Sequence, residues 1–239
     1  MPATSSLATA TDNCTDPQDV TADIAAFDCD DAGLNTVTFT ATDAENNSST
    51  ASMTVNVIDT ISPSITVNNM PSVVLDGSGL GSISTNSIDA SWSDVCGIDV
   101  ASLSQTAFDC DDVGTKTVTL TVTDINNNTS TETLIVTVSD NESPVALAQD
   151  LTIALDPTGI ATITTGDVDD GSTDNCEIDS YSLSKTDFDC DDLGPNIVTL
   201  TVEDPSGNTG SETAVITIIL VLPAQSTENS SRRSISSSY

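Results

Sequence analysis

The block Phe-Asp-Cys-Asp-Asp stands at residues 27–31, 108–112 and 188–192. In an extended chain the acids flanking each cysteine point to one face, away from the sulfur. These are Asp28 and Asp30, Asp109 and Asp111, and Asp189 and Asp191. Carboxylates held so close favour a hard divalent cation, calcium above all, or a displaced pKa. The cysteines suggest a second chemistry. They fall in three pairs, Cys14/Cys29, Cys96/Cys110 and Cys176/Cys190, each 14 or 15 residues apart. There is no Cys-x-x-Cys spacing and no histidine, so a zinc site of the usual kind is excluded. One pair per block predicts the bridges Cys14–Cys29, Cys96–Cys110 and Cys176–Cys190, hence an oxidising compartment. Bridged Cα atoms lie about 5.5 Å apart, so such bridges would draw Asp12, Asp94 and Asp174 beside the flanking acids.

A second acidic set lies outside the blocks. Asp59 precedes Pro63, and Asp140 and Glu142 precede Pro144, in short linkers. The turns Asp124–Asn128 and Asp204–Asn208 come just before a final strand. A last strand starts at the entry pole of its module, so each turn is expected to approach the linker through which the chain enters. Asp59, Asp124 and Asn128, and Asp140, Glu142, Asp204 and Asn208, are therefore candidate calcium ligands at module junctions. Asp and Asn also form turns without any metal. The segment 167–174 looks loosely like a calcium loop but lacks the spacing and terminal Glu of an EF-hand.

These residues sit in elements that recur every 80 or 81 positions, a period that fits a small domain. Each block is followed by Gly33, Gly114 or Gly194 and then an alternating run. In the second run Val118, Leu120 and Val122 face one way and Thr117, Thr119, Thr121 and Thr123 the other, the mark of a half-buried strand. Segments 64–68, 72–76, 80–85, 87–92, 98–104, 116–123 and 131–138 read as strands. Seven short strands per period predict an all-β chain, a tandem array of three immunoglobulin-like β-sandwich modules. The expected divisions are an incomplete repeat 1 at 1–62, repeat 2 at 63–143, repeat 3 at 144–223 and a Ser-rich tail at 224–239. Aligning Cys14 with Cys96 leaves repeat 1 without its N-terminal strands, with an apolar groove and open strand edges.

Composition narrows the function. Thirty-seven acids against four bases give a formal charge of -33. Such a chain repels nucleic-acid phosphates and anionic lipid surfaces. Self-repulsion at this density favours a neutralising cation. No apolar run is long enough to span a bilayer, so membrane insertion is not expected. The N-terminus does not read as a signal peptide, and the chain is expected to be a mature or excised piece of an exported protein. The acids recur in every module and no module carries a pocket of its own, so an enzyme is not expected.

The pattern carried by Asp174-Asn175-Cys176, Leu183-Ser184, Phe188-Asp189-Cys190 and Val198–Asp204, repeated over most of 8–223, resembles the hyalin-repeat (HYR-like) and related immunoglobulin-like repeats. Those are strung in arrays in secreted adhesins and surface proteins of Bacteroidota-type bacteria. The resemblance implies a sandwich fold and an extracellular or cell-surface location, and no reaction. The leading expectation is a structural or adhesive surface protein, a calcium-stiffened rod or filament. Its partners would be copies of itself or neighbouring repeats, joined head to tail, with strand donation from residues 218–239 into repeat 1 as one route. The alternatives are a calcium-dependent module binding cell-surface glycans, and a non-catalytic spacer of a large secreted enzyme. The scarcity of aromatic rings weighs against glycan binding, with Trp92 and Tyr181 the main candidates.

Overall fold

The computed structural model describes residues 8–13 and 19–221. The chain is all-β, and it forms two compact units. One comprises residues 1–75 and 80–139, the other 76–79 and 140–239.

In the first unit, β1 (Asp19–Ala22), β2 (Gly33–Thr42) and β3 (Ser48–Val57) form an antiparallel three-stranded sheet. The following strands are β4 (Ser64–Val67), β5 (Ser72–Val74), β6 (Gly81–Ser82), β7 (Ala90–Ser93), β8 (Ile98–Leu103), β9 (Ala107–Phe108), β10 (Gly114–Asp124) and β11 (Thr129–Ser139). The main sheet has the order β5-β11-β10-β8, with β5 parallel to β11 and the other pairs antiparallel. The pairs β4–β7 and β6–β9 make the smaller second layer. Val118, Leu120 and Val122 of β10 are fully buried, as alternation requires. Leu134, Val136 and Val138 of β11 join them, with Ile83, Ile88 and Phe108 from the other layer.

The second unit repeats this plan. Its strands are β12 (Leu151–Ala154), β13 (Ala161–Thr162), β14 (Ser180–Leu183), β15 (Asp187–Phe188), β16 (Gly194–Glu203) and β17 (Thr209–Ile219). The sheet order is β12-β17-β16-β14, and β13 pairs with β15. One core joins Phe188 and Ile163 to Val198, Leu200, Val202, Ala214, Ile216 and Ile218. A four-residue helix, α1 (Thr165–Val168), was not expected from the sequence. It forms because the Asp167 carboxylate accepts from the backbone N–H and the hydroxyl of Thr164, closing a capping box.

The three-stranded sheet has little core of its own among the described residues. Among the described residues up to 62 only Val37 is a buried hydrophobic, and Phe27 is half-buried where Phe108 and Phe188 are 2% exposed. A groove of about 410 Å³ lies against it, of mixed lining: Val20, Phe39 and Ala41 with Asp12, Asp43 and Thr50 among others.

The expected disulfide pairing is overturned. Cys29 is bonded to Cys96, 67 residues on, so neither Cys14–Cys29 nor Cys96–Cys110 forms. Cys190 is a free, exposed thiol, so Cys176–Cys190 does not form, while Cys110 and Cys176 are both disulfide-bonded. Cys14 lies outside the described residues. The reason is translational. Joining the second cysteine of one repeat to the first of the next preserves the period as well as pairing within a repeat does. A loop of this length is worth about 4 kcal/mol in the chain-entropy account, more than a 15-residue loop gives.

Candidate metal centre

The junction acids are positioned by the β10–β11 and β16–β17 turns. In the first, Asp124 is 1% exposed and acts as a staple. Its Oδ1 accepts from the N–H of Asn126 and of Asn128, each at 2.8 Å, and its Oδ2 from Asn128 Nδ2 at 2.8 Å. Burial pushes the Asp124 pKa up, but the Asn128 side chain and the N–H groups of Asn128, Asn126 and Asn127 outweigh it and hold the carboxyl below its ordinary value. Asn127 has φ +69° and its counterpart Gly207 +86°. The turn needs a left-handed residue, and Asn meets that need almost as well as Gly. This is why the Gly-Asn pair of repeat 3 is Asn-Asn in repeat 2. Asp204 repeats the staple, accepting from Asn208 N and Asn208 Nδ2 at 2.8 Å.

Each turn also holds its linker. Asn128 Nδ2 donates to the carbonyl of Asp59 at 3.3 Å, and Ser130 Oγ to that of Pro63 at 2.5 Å. Asn208 Nδ2 donates to the carbonyl of Asp140 at 3.2 Å. Gly210 stands where repeat 2 has Ser130. A Cβ there would come within 1.9 Å of the Pro144 carbonyl oxygen, so only glycine permits that approach. The sequence-derived placement of turn beside linker is therefore what the chain adopts.

Two groups of candidate ligands result. In the second unit single carboxylate oxygens of Asp140, Asp174 and Asp204 lie within 4.8 Å of one another. Asp140 is 5% and Asp204 2% exposed. Asn175 Nδ2 donates to Asp140 Oδ1 at 3.1 Å. The Cys176 N–H donates to Asp174 Oδ2 at 2.9 Å, while Asp174 Oδ1 is buried with no hydrogen-bond partner. In the first unit the equivalent group is Asp59, Asp94 and the Sγ of Cys96. That sulfur is half of the disulfide to Cys29 and so is no thiolate ligand. Asp94 Oδ1 accepts from the Cys96 N–H at 2.8 Å. Asp59 Oδ2 and, in the adjoining turn, Asn126 Oδ1 are buried and unpartnered.

Neither described basic residue helps. Lys116 pairs with Asp112 at 3.0 Å and Lys185 with Asp192. At an effective dielectric constant near 20, two carboxylates 4.8 Å apart repel by about 3 kcal/mol. Three of them with inward-facing lone pairs make a hard, oxygen-only site of the kind that suits calcium, and the residues fit that ion.

Glu142 is exposed and outside both groups; its N–H donates to Asp140 Oδ1 at 3.2 Å. Nor are Asp28, Asp30, Asp109, Asp111, Asp189 and Asp191 gathered into a group of three ligands among the described residues. Asp28, Asp109 and Asp189 cap short 3-10 turns, each accepting from the N–H two residues on. Asp112 and Asp192 reciprocate toward the cap N–H. The repeated block is thus a capping box, a local structural device. The segment 167–174 divides similarly: Asp167 caps α1, Asp169 accepts from Ser172, and only Asp174 reaches the junction group.

Asp94 and Asp174 were expected beside the blocks. Their offset of 80 matches that of Asp124 and Asp204, a signal that they recur, but not of the pole they occupy. Trp92 is half-buried in β7 and Tyr181 is 39% exposed.

Among the described residues no helix is long and apolar enough to cross a membrane. No protein-family model matches the chain. No curated protein matches it either. The solved structures it is similar to include protocadherin gammaB7 EC3-6 (17% identity, 81% of this chain and 60% of that one, TM-score 0.34). Human mucin-like protocadherin EC1-2 is another (13%, 66% and 99%, TM-score 0.38). A third is human protocadherin-24 EC1-2 (13%, 67% and 100%, TM-score 0.38).

Proposed function

We propose that this chain is an extracellular structural and adhesive repeat protein whose repeats are stiffened by calcium at their junctions. The observation that carries the reading is the group Asp140, Asp174 and Asp204, in which carboxylates from a linker, a loop and a turn converge while both described lysines pair with other aspartates. Calcium would be held by those three in the second unit and by Asp59 and Asp94 in the first, with Asp124, Asn128 and Asn208 shaping the turns. The ion supplies charge neutralisation and rigidity there, and no reaction. The hyalin-repeat resemblance rests on the motif residues and agrees with a secreted setting, as does the disulfide. Repeat divisions at 62/63 and 143/144 belong to the same proposal. So does filament growth by strand donation into the groove beside the three-stranded sheet, which Val20, Phe39 and Ala41 line together with Thr, Ser and Asp side chains. Most of the donor, 218–239, lies outside the described residues.

Calorimetric titration of the chelator-treated chain with calcium tests the reading, together with small-angle scattering of both states. Saturable binding at two sites with a narrower, more extended scattering profile is expected. Heats and scattering indifferent to calcium would reject it.

A further inference from the structure

Three connections of the first unit converge on one point. Asp59 stands between β3 and β4, Cys29 between β1 and β2, and Asp94 and Cys96 between β7 and β8. One oxygen of Asp59, one of Asp94 and the Cys96 Sγ lie within 4.8 Å of one another, and that sulfur is bonded to Cys29. A disulfide thus walls this candidate calcium site, where the second unit's group is built of carboxylates alone.

The bridge also sets the aim of a ligand. The β4–β7 pairing ends at Ser64 and Ser93, one residue short of Asp94. Past that point the Asp94 carboxylate is held by the N–H of Cys96, which donates to Oδ1 at 2.8 Å. The side chain of the same cysteine is fixed by Cys29. A further anchor of the loop is the Ile125 N–H, which donates to the Gly97 carbonyl at 3.3 Å. On the facing side the Ile61 N–H donates to Asp59 Oδ1 at 3.0 Å, and Asp59 Oδ2 is buried with no hydrogen-bond partner. Asp94 lines an open cleft of about 260 Å³ with Ile61, Ser62, Ser64, Ser93 and Val95, a way in for an ion.

We propose that the Cys29–Cys96 disulfide and the calcium site at Asp59 and Asp94 are energetically coupled: the bridge holds Asp94 at ligand distance, and the bound ion holds the bridge oxidised. The proposal rests on the calcium reading above. Without an ion the bridge keeps two carboxylates together against their repulsion, and opening it lets the loop carry Asp94 away. With an ion the same closeness becomes attraction, and opening the bridge forfeits it. Linkage makes the two effects equal: whatever factor the bridge adds to calcium affinity, calcium adds to the equilibrium constant for keeping the bridge. Such couplings are commonly about 5- to 150-fold. About tenfold is expected here, since Ile125 still anchors the loop, and for a two-electron couple that corresponds to about 30 mV.

With glutathione the step balances. One glutathione thiolate attacks a bridge sulfur and displaces the other as a thiolate. A second glutathione thiolate then displaces the first protein sulfur. Cys29 and Cys96 each gain one electron and one proton, and oxidised glutathione is the product.

The test holds the full chain at equilibrium in glutathione buffers of graded ratio, with calcium or with chelator at matched ionic strength. Thiols are trapped by alkylation and quantified at Cys29 and Cys96 by mass spectrometry of the peptides, which separates this bridge from the other bonded cysteines. Calcium should shift the midpoint toward more reducing buffers by about 30 mV, and Asp94→Asn should remove the shift while the bridge still forms. Calorimetry supplies the reciprocal. The Cys29→Ser/Cys96→Ser variant, its fold checked by circular dichroism, should bind calcium about tenfold more weakly at one site and unchanged at the other. Should that variant fail to fold, the Asp94→Asn comparison decides by itself. A midpoint indifferent to calcium in a chain that binds two ions would overturn the coupling and leave the calcium reading standing. No calcium heat from the oxidised chain would overturn both. A shift of equal size in Asp94→Asn would mean that calcium acts through the overall charge of the chain, and would also overturn the proposal.

Discussion

Replacing Asp174 by Asn should stabilise the chain in chelator and destabilise it in calcium. The substitution is nearly isosteric, and its amide oxygen can still accept from the Cys176 N–H, as Asp174 Oδ2 does at 2.9 Å. What it removes is one charge from a group whose oxygens lie within 4.8 Å of one another. Two of the three repulsive pairs then vanish. At an effective dielectric constant near 20 each pair is worth about 3 kcal/mol. Asp174 is only half-buried, and screening reduces the gain to roughly 1–2 kcal/mol in all. In a domain of this size that is a rise of about 4–8 °C per kcal/mol. With calcium at a hundred times its dissociation constant, the wild-type site gains about 2.7 kcal/mol by mass action. Loss of a charged ligand weakens binding, and most of that increment disappears. The curves of melting temperature against calcium concentration for the two proteins should therefore cross. Scanning calorimetry with and without calcium reads both ends. A variant destabilised equally under both conditions would show that Asp174 is only a turn residue and that its negative charge has no counter-ion to meet.

Removing the Cys29–Cys96 bridge as the double serine variant should cost about 4 kcal/mol in denaturant melts of the first unit, whereas Cys190→Ser should cost nothing measurable. Leu200→Ala, in the centre of the second core and fully buried, should cost about 2–5 kcal/mol; a smaller loss would mean that the core collapses around the gap. Acid should unfold the chain in a definite window. The Thr158 hydroxyl and the N–H groups of Ile160 and Thr158 hold Asp156 below its ordinary value, Thr164 does the same for Asp167, and Lys185 for Asp192. Carboxyls lowered on folding stabilise above their unfolded value, and that stability is lost as pH falls through the folded values. In chelator the melting temperature should thus drop steeply only below about pH 4, and a drop that began above pH 5 would contradict this assignment.

Alternation alone was enough for the main strands. Val118, Leu120 and Val122 read as a buried face from period two, and the hairpin they open is the spine of its sheet. The junction turns were legible as well, because a last strand begins at the entry pole and its turn must lie near the linker. Short elements were less so. Helix α1 depends on one carboxylate folding back on Thr164, a contact that no hydrophobic period announces. The acids of the Phe-Asp-Cys-Asp-Asp block looked like ligands because composition does not distinguish a carboxylate that caps a backbone N–H from one that faces a cation.

The sequence by itself determined the period, the β architecture and the placement of the Asp124 and Asp204 turns beside the segments that carry Asp59 and Asp140. Those follow from local alternation, turn residues and chain direction, all of which are recorded in neighbouring positions. Only the tertiary structure decided which sulfur meets which and which acids share a pole. A repeat is unchanged by a shift of one period, so Cys29 with Cys14 and Cys29 with Cys96 are equally periodic in one dimension. The choice between them, and the meeting of Asp94 with Asp59 and of Asp174 with Asp140 and Asp204, depends on how a linker and a loop from distant positions are packed against one turn.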